Sequence, residues 1–265
     1  MIVTEYRIPY KGYTDKIYIK PIFDIHAGNT YCDLAQLKKD LANCPENTYF
    51  FTGGDMMDSI VVNELRYTKD ADATTGKAIL DEQIDLITEI LMPYKARLIG
   101  VGAGNHEEKV LNKCSTDLVA RLARRLGCVN LGYSGIIILR LNKKSGGGGR
   151  TVRIHWHHGW GGSGRTAGGT ITKYSKDMTN YECDVFFYGH DHHCHTYEHP
   201  RFTTVGKRLM SKNLQLGICG TYLKTFSDTA DAPYSEIAGY PPLKIGGLIL
   251  EIKPTDTWVE MKLIK

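Results

Sequence analysis

The chain has 265 residues, of which 42% are hydrophobic and 23% are charged, close to the average for globular domains. This composition excludes collagen-like, coiled-coil and intrinsically disordered chains, and the length is sufficient for one large domain with its own core. The formal net charge of +4 permits an anionic partner but does not require one.

Neither the apolar runs nor the cysteines indicate export or a membrane anchor. No uninterrupted apolar run reaches the ~20 residues that a membrane-spanning helix needs, and residues 1–16 are too polar for the core of a signal peptide. The 7 cysteines form no C-x-x-C pair, which argues against a disulfide framework and against a zinc ribbon. We therefore expect a cytoplasmic protein without a membrane partner.

In the first half of the chain, strand-like and helical patterns alternate. Apolar runs predict strands over residues 16–23, 48–55 and 97–105. Leucines and isoleucines at helical spacing predict helices over residues 34–41, 80–91 and 118–126, the last of which is closed by Gly127. This alternation is typical of βαβ units.

After Gly127 the pattern changes to strands. They are predicted over residues 135–141, 151–158, 184–190, 214–220, 246–252 and 257–264. The glycine-rich segment 143–150 is interpreted as a surface turn of the first hairpin. We expect a single α/β domain over residues 1–265 whose second half adds mostly antiparallel strands. Residues 196–240 carry no recognisable motif and are predicted to shape specificity.

Five short polar segments each follow a predicted strand. They are D-x-H at 24–26, G-D-x-x-D at 54–58, G-N-H-E at 104–107, H-G at 158–159 and G-H-x-H at 189–192. Ligands of open α/β sheets collect at the carboxyl ends of strands, so we expect these segments to form one site. A mixed set of Asp, Asn and His donors suits Mn, Fe, Zn or Ni better than the all-oxygen shells of Mg or Ca.

The number of donors favours two ions over one. A single ion takes about four to six donors, whereas these segments offer seven before water is added. A carboxylate such as that of Asp55 could bridge two ions, and a hydroxide shared by the ions is a nucleophile at neutral pH. Hydrolysis of phosphate esters or, less often, of amides uses such pairs.

In this order, the five motifs resemble those of the calcineurin-like metallophosphoesterase superfamily, and they cover residues 24–192. The resemblance implies a four-layer α/β sandwich, with two mixed β-sheets flanked by helices, and a dinuclear centre that hydrolyses phosphoesters. Residue by residue, it implies Asp24, His26 and His192 as ligands of the first metal, Asn105, His158 and His190 as ligands of the second, and Asp55 as the bridge. His106 would be the catalytic imidazole that assists the leaving group from outside the ligand set.

One departure from the superfamily bears on the substrate. In its protein serine/threonine phosphatases the second motif continues into Arg-Gly, and that arginine holds the phosphate, whereas here Asp58 is followed by Ser59 and Ile60. We therefore predict a phosphodiesterase with two divalent transition-metal ions, Mn first and Fe, Zn or Ni as alternatives. DNA or RNA is the predicted partner, which makes the protein a nuclease.

Two other functions remain alternatives. The first is a phosphomonoesterase, or a phosphodiesterase for cyclic or other small nucleotides, at the same site. The second is a non-catalytic scaffold for protein interactions. Scaffold members of the superfamily tend to lose the G-N-H histidine, which this chain keeps as His106.

Residues next to the motif ligands have predicted roles of their own. Strand alternation allows only one of His157 and His158 to face the metals, and the position before glycine favours His158. Asp58 and Glu107 are expected to orient imidazoles, Glu107 that of His106.

Two basic features could contact a substrate. The segment 159–166 has Arg165 where a P-loop has its lysine, so it is not interpreted as a nucleotide-binding loop. This segment has two interpretations: Arg165 contacts a substrate phosphate, or the segment is a plain surface loop. The cations at positions 121–125 and 143–153 are interpreted first as solvated faces, with a track for a phosphate backbone as the alternative.

Overall fold

The computed structural model describes residues 1–59, 79–146, 149–162, 166–227 and 232–265. The strands are β1 (Ile2–Tyr10), β2 (Ile17–Ile22), β3 (Thr48–Gly53), β4 (Leu98–Gly102), β5 (Val129–Gly132), β6 (Ser134–Lys143), β7 (Arg150–His157), β8 (Val185–Tyr188), β9 (Cys194–Val205), β10 (Arg208–Cys219), β11 (Ile249–Pro254) and β12 (Val259–Ile264). The helices are α1 (Leu34–Ala42), α2 (Ile79–Leu91), α3 (Asn105–Cys114), α4 (Leu118–Leu126), α5 (Ala167–Ser175), α6 (Asp177–Asn180) and α7 (Tyr234–Ile237), with a 3-10 helix at Met92–Arg97.

The strands form two six-stranded sheets. Sheet I has the order β1-β6-β7-β8-β10-β9 and sheet II has the order β12-β11-β2-β3-β4-β5. Each sheet contains parallel and antiparallel pairs. Apolar side chains of both sheets, among them Phe51, Trp156 and Phe187, form the central core between them.

Helices cover the outer faces of both sheets. Leu37 of α1, Ile84 of α2 and Leu122 of α4 pack on sheet II, and Tyr174 of α5 and Met178 of α6 pack on sheet I. The order of layers is therefore helix, sheet, sheet, helix. This is the four-layer α/β sandwich with two mixed sheets, and the predicted fold class is confirmed.

Local sequence signals account for most element boundaries. The Asp33 side chain caps α1 by accepting a hydrogen bond of 2.9 Å from the Gln36 backbone N–H, as helix N-termini require. Gly127 ends α4 with a left-handed φ of 67°, a conformation that glycine adopts without steric cost. In β6, buried and half-buried residues alternate over Ser134–Arg140, as expected for a strand with one face in the core.

The second half is mostly antiparallel, as expected, but it also contains two parallel strand pairs. β8 runs parallel to β7 and to β10. A parallel pair needs a crossover connection, and α5 and α6 supply it between β7 and β8. Neither β1 nor β9 is among the predicted strands. Both are edge strands with many exposed residues, so no apolar alternation marks them.

The fold brings five strand ends to one place. β2, β3 and β4 are parallel neighbours in sheet II, and β7 and β8 are parallel neighbours in sheet I. Each of the five polar motifs begins at, or within a few residues of, the carboxyl end of one of these strands. None of the described helices combines the length and the apolar character needed to cross a membrane.

Candidate metal centre

All seven residues predicted to bind metal lie together at these strand ends. Two groups have ligand atoms within 4.8 Å of one another, the first formed by Asp24, His26 and His192 and the second by Asp55, His158 and His190. Asn105 joins the second group, since its Oδ1 atom lies 3.0 Å from His158 Nε2 and 2.8 Å from His190 Nδ1. The two groups have the composition that the resemblance implies for two metal ions.

The donor atoms of the first group face a common point. His26 Nδ1 donates to Asp58 Oδ1 over 3.2 Å, which leaves the lone pair of His26 Nε2 free. That atom faces His192 Nε2 at 3.2 Å, and His192 Nε2 lies 3.4 Å from Asp24 Oδ1. Asp24 Oδ1 is buried without a hydrogen-bond partner among the described residues. A buried carboxylate oxygen is stable only with a counter-charge or a donor, and a cation between these atoms would provide it.

The second group shows the same arrangement. His158 Nδ1 donates to the Gly53 carbonyl oxygen over 3.0 Å, and His190 Nε2 donates to the Gly161 carbonyl oxygen over 2.8 Å. These bonds set the tautomers so that His158 Nε2 and His190 Nδ1 both point at Asn105 Oδ1, which can only accept. Three acceptors that face one another require a proton or a metal ion between them.

Asp55 connects the two groups. Its Oδ2 atom lies 3.2 Å from His158 Nε2 and 4.0 Å from His26 Nε2. Its Oδ1 atom accepts a hydrogen bond of 2.9 Å from the His106 backbone N–H. One carboxylate oxygen therefore faces imidazoles of both groups, which is the position that a bridging ligand would occupy.

The electrostatics of the centre favour positive charge. Burial opposes protonation of His158, but the Asp55 carboxylate outweighs it and raises the pKa of His158 to about 9. Burial likewise opposes ionisation of Asp55, yet the surrounding imidazoles, His158 first, hold the pKa of Asp55 well below its usual range. The pKa of His192 is raised by Asp24 despite burial.

Strained backbone marks the same residues. Positive φ angles occur at Asp24 (50°), His26 (56°), Asp55 (50°), His190 (67°) and His192 (59°). A left-handed conformation at a non-glycine residue costs on the order of 1–3 kcal/mol and persists only where the surroundings impose it. Its concentration in five candidate ligands indicates that the fold aims these side chains inward at the expense of stability.

Two motif glycines are required by close approach. A Cβ atom at Gly104 would overlap the side chain and backbone nitrogen of Asp55, and a Cβ atom at Gly189 would lie 2.6 Å from Asp24 Oδ2. Only glycine therefore allows Asp24 and Asp55 to take their observed positions.

Asp58 and Glu107 support the donors in different ways. Asp58 orients the His26 ring through the hydrogen bond described above, as the sequence predicts. The expectation that Glu107 orients His106 is wrong, because its carboxylate accepts four backbone N–H bonds instead. These come from Gly104, Asp55, Met56 and Met57 at 2.8–3.1 Å. Glu107 thus fixes the backbone that carries Asp55.

His106 lies beside the ligands. Its ring is buried, its Nδ1 atom contacts the Asp58 carbonyl oxygen, and its Nε2 atom lies 3.8 Å from Asp55 Oδ2. His26, Asp55 and His106 also form a group with ligand atoms within 4.8 Å of one another. The geometry therefore allows either the predicted catalytic role or ligation.

Alternation along β7 separates the two neighbouring histidines. His157 lies outside the donor groups; its Nδ1 atom accepts a bond of 2.8 Å from the Gly159 N–H, and its ring packs on Trp160 and Tyr133. His158 is fully buried in the centre. The structure thus places His158, and not His157, among the candidate ligands.

Several supporting residues were not identified from the sequence. Lys173 on α5 pairs with both carboxylate oxygens of buried Asp191 at 3.0 Å and so anchors the G-H-x-H segment. Thr221 Oγ1 and the Tyr222 N–H donate to the Asp24 carbonyl oxygen over 2.9 and 3.0 Å. Thr221 and Tyr222 lie in the segment 196–240, which was predicted to shape specificity. The position of Asp191 inside the motif was the only local signal.

Two of the basic residues considered for substrate contact lie on α4 and pair with acidic residues. Arg121 and Arg125 form ion pairs with Asp81 and Asp85 on the neighbouring helix α2. These two arginines are therefore engaged within the fold and do not favour a phosphate track on α4. Arg165 lies outside the described residues.

Comparison with known proteins shows distant similarities to solved structures. No family model and no curated protein matches the chain. A solved structure of Vps29 from Entamoeba histolytica, complexed with Zn²⁺, shares 14% identity over 94% of this chain and 98% of that chain, with a TM-score of 0.37. A metallophosphoesterase from Sphaerobacter thermophilus shares 11% over 95% and 89%, with a TM-score of 0.39.

The NAD nucleotidase of Haemophilus influenzae shares 11% identity over 95% of this chain but only 49% of its own, with a TM-score of 0.45. Similarities at this level do not assign an activity. The two mixed sheets flanked by helices and the motif order in this chain agree with the calcineurin-like metallophosphoesterase fold that the sequence resembles.

Proposed function

We propose that this chain is a metal-dependent phosphoesterase that hydrolyses phosphodiester bonds, with nucleic acid as its substrate. The observation that carries the proposal is the junction of two donor groups at Asp55 Oδ2, which faces His158 Nε2 at 3.2 Å and His26 Nε2 at 4.0 Å. Such a junction suits two cations that share one carboxylate.

The donor chemistry fits the implied ions. Asp24, His26 and His192 would hold one ion, Asn105, His158 and His190 the other, and Asp55 both. The mixture of imidazole and oxygen donors suits Mn²⁺ first, with Fe, Zn and Ni as alternatives. Bound divalent ions would lower the pKa of a coordinated water and neutralise charge on a phosphoryl group.

The protein's own residues fix the geometry around these ions. Glu107 ties the backbone of Asp55, and Asp58 sets the tautomer of His26. The His106 ring is anchored through Nδ1 to the Asp58 carbonyl oxygen, so its Nε2 atom faces Asp55. From this position a protonated His106 Nε2 would donate to the oxygen that leaves the phosphorus.

The charge of the substrate favours a diester. A phosphomonoester carries a charge of about −1.5 to −2 at neutral pH, whereas a diester carries one negative charge. Protein phosphatases of the superfamily use an arginine after the second motif for the extra charge, and Ser59 stands there in this chain. The described residues thus show no counterpart of that arginine.

The β9–β10 hairpin supports a polymeric substrate. It begins at Cys194, two residues after His192, and its twelve-residue strands extend about 35 Å at 3.3 Å per residue. Near its end it carries Phe202, which is 72% exposed, and the exposed cations Lys207 and Arg208. Aromatic and basic side chains bind bases and phosphates of nucleic acids. Only a long substrate could contact both the hairpin end and the metal centre.

Hydrolysis assays test the proposal. We expect Mn²⁺-dependent turnover of bis(p-nitrophenyl) phosphate and of DNA or RNA, single- and double-stranded, and much slower turnover of p-nitrophenyl phosphate. Parallel reactions with Ni²⁺, Zn²⁺ and Mg²⁺ identify the preferred ion. Faster hydrolysis of the monoester would replace the diesterase assignment, and no hydrolysis with any ion would favour the scaffold alternative.

A further inference from the structure

A cavity of about 160 Å³ lies apart from the metal centre. It is lined by Gln36, Asp40, Cys194, Lys244, Ile245, Gly246, Gly247 and Lys265. None of these residues belongs to the donor groups. The walls come from α1, the segment that leads into β11, the start of β9 and the end of the described chain.

A buried lysine lies next to this cavity. In β2, Ile17 and Ile19 point into the central core, so Lys20 lies on the opposite face, towards the helices. Lys20 is only 5% exposed. A Cβ atom added at Gly247, a lining residue, would lie 3.2 Å from Lys20 Nζ and 3.5 Å from the Tyr222 hydroxyl. The ammonium group therefore lies beside the cavity wall at Gly247.

The ammonium group of Lys20 lacks an acceptor. Within the described part of the chain, no hydrogen bond or ion pair joins Lys20 Nζ to another residue. The Asp40 carboxylate accepts from Gln36 Nε2 at 2.5 Å and from the Tyr222 hydroxyl at 3.1 Å, and it forms no ion pair with Lys20. The side chain is largely buried and its ammonium group lies beside the cavity wall without a protein acceptor, so an ion or ordered water in the cavity would supply one.

The charges around the cavity are unbalanced. Lys244 and Lys265 line it and Lys20 adjoins it, whereas Asp40 is the one acidic side chain among the described lining residues. Ligand pockets for drug-sized molecules measure about 300–1,000 Å³, so this cavity is too small for a nucleotide. Its volume suits a small anion with several acceptor oxygens, which ammonium groups can bind from different sides.

We infer that this cavity is a binding site for a tetrahedral phosphate group, held by Lys20 from beneath and by Lys244 and Lys265 at the opening. Phosphate supplies the acceptors that the buried ammonium group lacks. Because Lys244 and Lys265 are exposed, the phosphate could be free or carry an organic group that extends into solvent. The inference does not depend on the activity of the metal centre.

Crystals of the full chain soaked with selenate would locate the anion. Selenate is a tetrahedral dianion, and its anomalous signal distinguishes an ion in the cavity from one at the metal centre. We expect a selenium peak within hydrogen-bond distance of Lys20 Nζ. Water alone in this cavity at saturating selenate would overturn the inference.

Calorimetric titration of the Mn²⁺-loaded chain measures the affinity for inorganic phosphate and for methylphosphonate. We expect a phosphate site with a Kd of about 1 mM or tighter, and Lys20→Met should weaken it about tenfold or more, since a charge-assisted hydrogen bond is lost. Lys95→Met, at an exposed lysine of the 3-10 helix, is the matched control and should bind like the wild type. Binding of methylphosphonate at the same site would indicate a phosphate that carries an organic group.

The unfolding temperature of Lys20→Met shows whether the variant is folded, and we expect no loss because the substitution removes no hydrogen bond or ion pair within the described chain. Should Lys20→Met destabilise the chain, Lys244→Met, at an exposed position, provides the second test and should weaken phosphate binding at wild-type stability. A selenate peak without any effect of either variant on phosphate affinity would mean an adventitious ion only, and would refute the site.

Discussion

The Oδ2 atom of Asp55 lies 3.2 Å from His158 Nε2, and both side chains are almost completely buried. Because the same oxygen also faces His26 of the other donor group at 4.0 Å, this contact joins the two halves of the centre. The carboxylate oxygen and the imidazole nitrogen come from different sheets, so their meeting depends on how the sheets pack.

We predict that the wild-type chain binds two Mn²⁺ ions and that Asp55→Asn binds one or fewer. An amide is neutral and cannot link two cations as a carboxylate does. Metal analysis after saturation and dialysis measures the stoichiometry. Asp33→Asn is the matched control, since Asp33 caps α1, a task that asparagine also performs, and it should keep both ions. Two tightly bound ions in Asp55→Asn would exclude Asp55 as the bridge.

The two neighbouring histidines of β7 should differ in their effect on metal binding. His158→Asn removes a nitrogen that faces Asn105 Oδ1 and Asp55 Oδ2, so we expect loss of at least one ion and of activity. His157→Asn alters a side chain that packs on Trp160 outside the donor groups, and it should keep both ions. Metal analysis of the pair decides this, and the opposite result would make His157 the ligand.

His106→Asn separates catalysis from metal binding. If His106 Nε2 protonates the leaving oxygen, its loss should reduce kcat about 10²- to 10⁴-fold, the range typical of a general acid. The reduction should be smaller for bis(p-nitrophenyl) phosphate, whose leaving group needs little protonation, than for DNA. His199→Asn, at an exposed position of β9, is the control. Loss of a metal ion in His106→Asn would identify His106 as a ligand, which its distance of 3.8 Å to Asp55 Oδ2 also allows.

Glu107→Gln should destabilise the fold. The Glu107 carboxylate accepts four backbone N–H bonds in a buried position, whereas a glutamine presents an NH₂ group to some of these donors. Buried donors without a partner cost about 1–3 kcal/mol each, so we expect a loss of about 3 kcal/mol in the free energy of unfolding. Denaturant titration measures it, with Glu108→Gln at the next, half-buried position as the control. Equal stability of the two variants would contradict the role assigned to Glu107.

Much of the centre could be predicted from the sequence because its signals are local. A run such as Thr48–Gly53 ends in the polar motif that contains Asp55, and strand ends of α/β sheets meet. Alternation along the strand allowed only one of His157 and His158 to face the metals, and the position before glycine favoured His158. The fold class followed from the order of the motifs together with the alternation of strands and helices.

The roles of Glu107 and Lys20 could not be predicted, because they depend on partners far away in the chain. Glu107 lies beside His106 in sequence, yet its carboxylate accepts from the backbone of Asp55, about fifty residues earlier. Lys20 interrupts an apolar strand, and nothing local shows that a cavity lies beside it.

The sequence by itself determined which residues are candidate donors and the approximate elements, since residue type and spacing act over a few positions. Only the tertiary structure decided which residues orient those donors, which strand pairs run parallel and where Lys20 is left without an acceptor. Edge strands such as β1 escape sequence patterns because burial on one face, the source of apolar alternation, is incomplete there. The long-range hydrogen bonds and the cavity result from how the two sheets and α1 pack, which no short segment encodes.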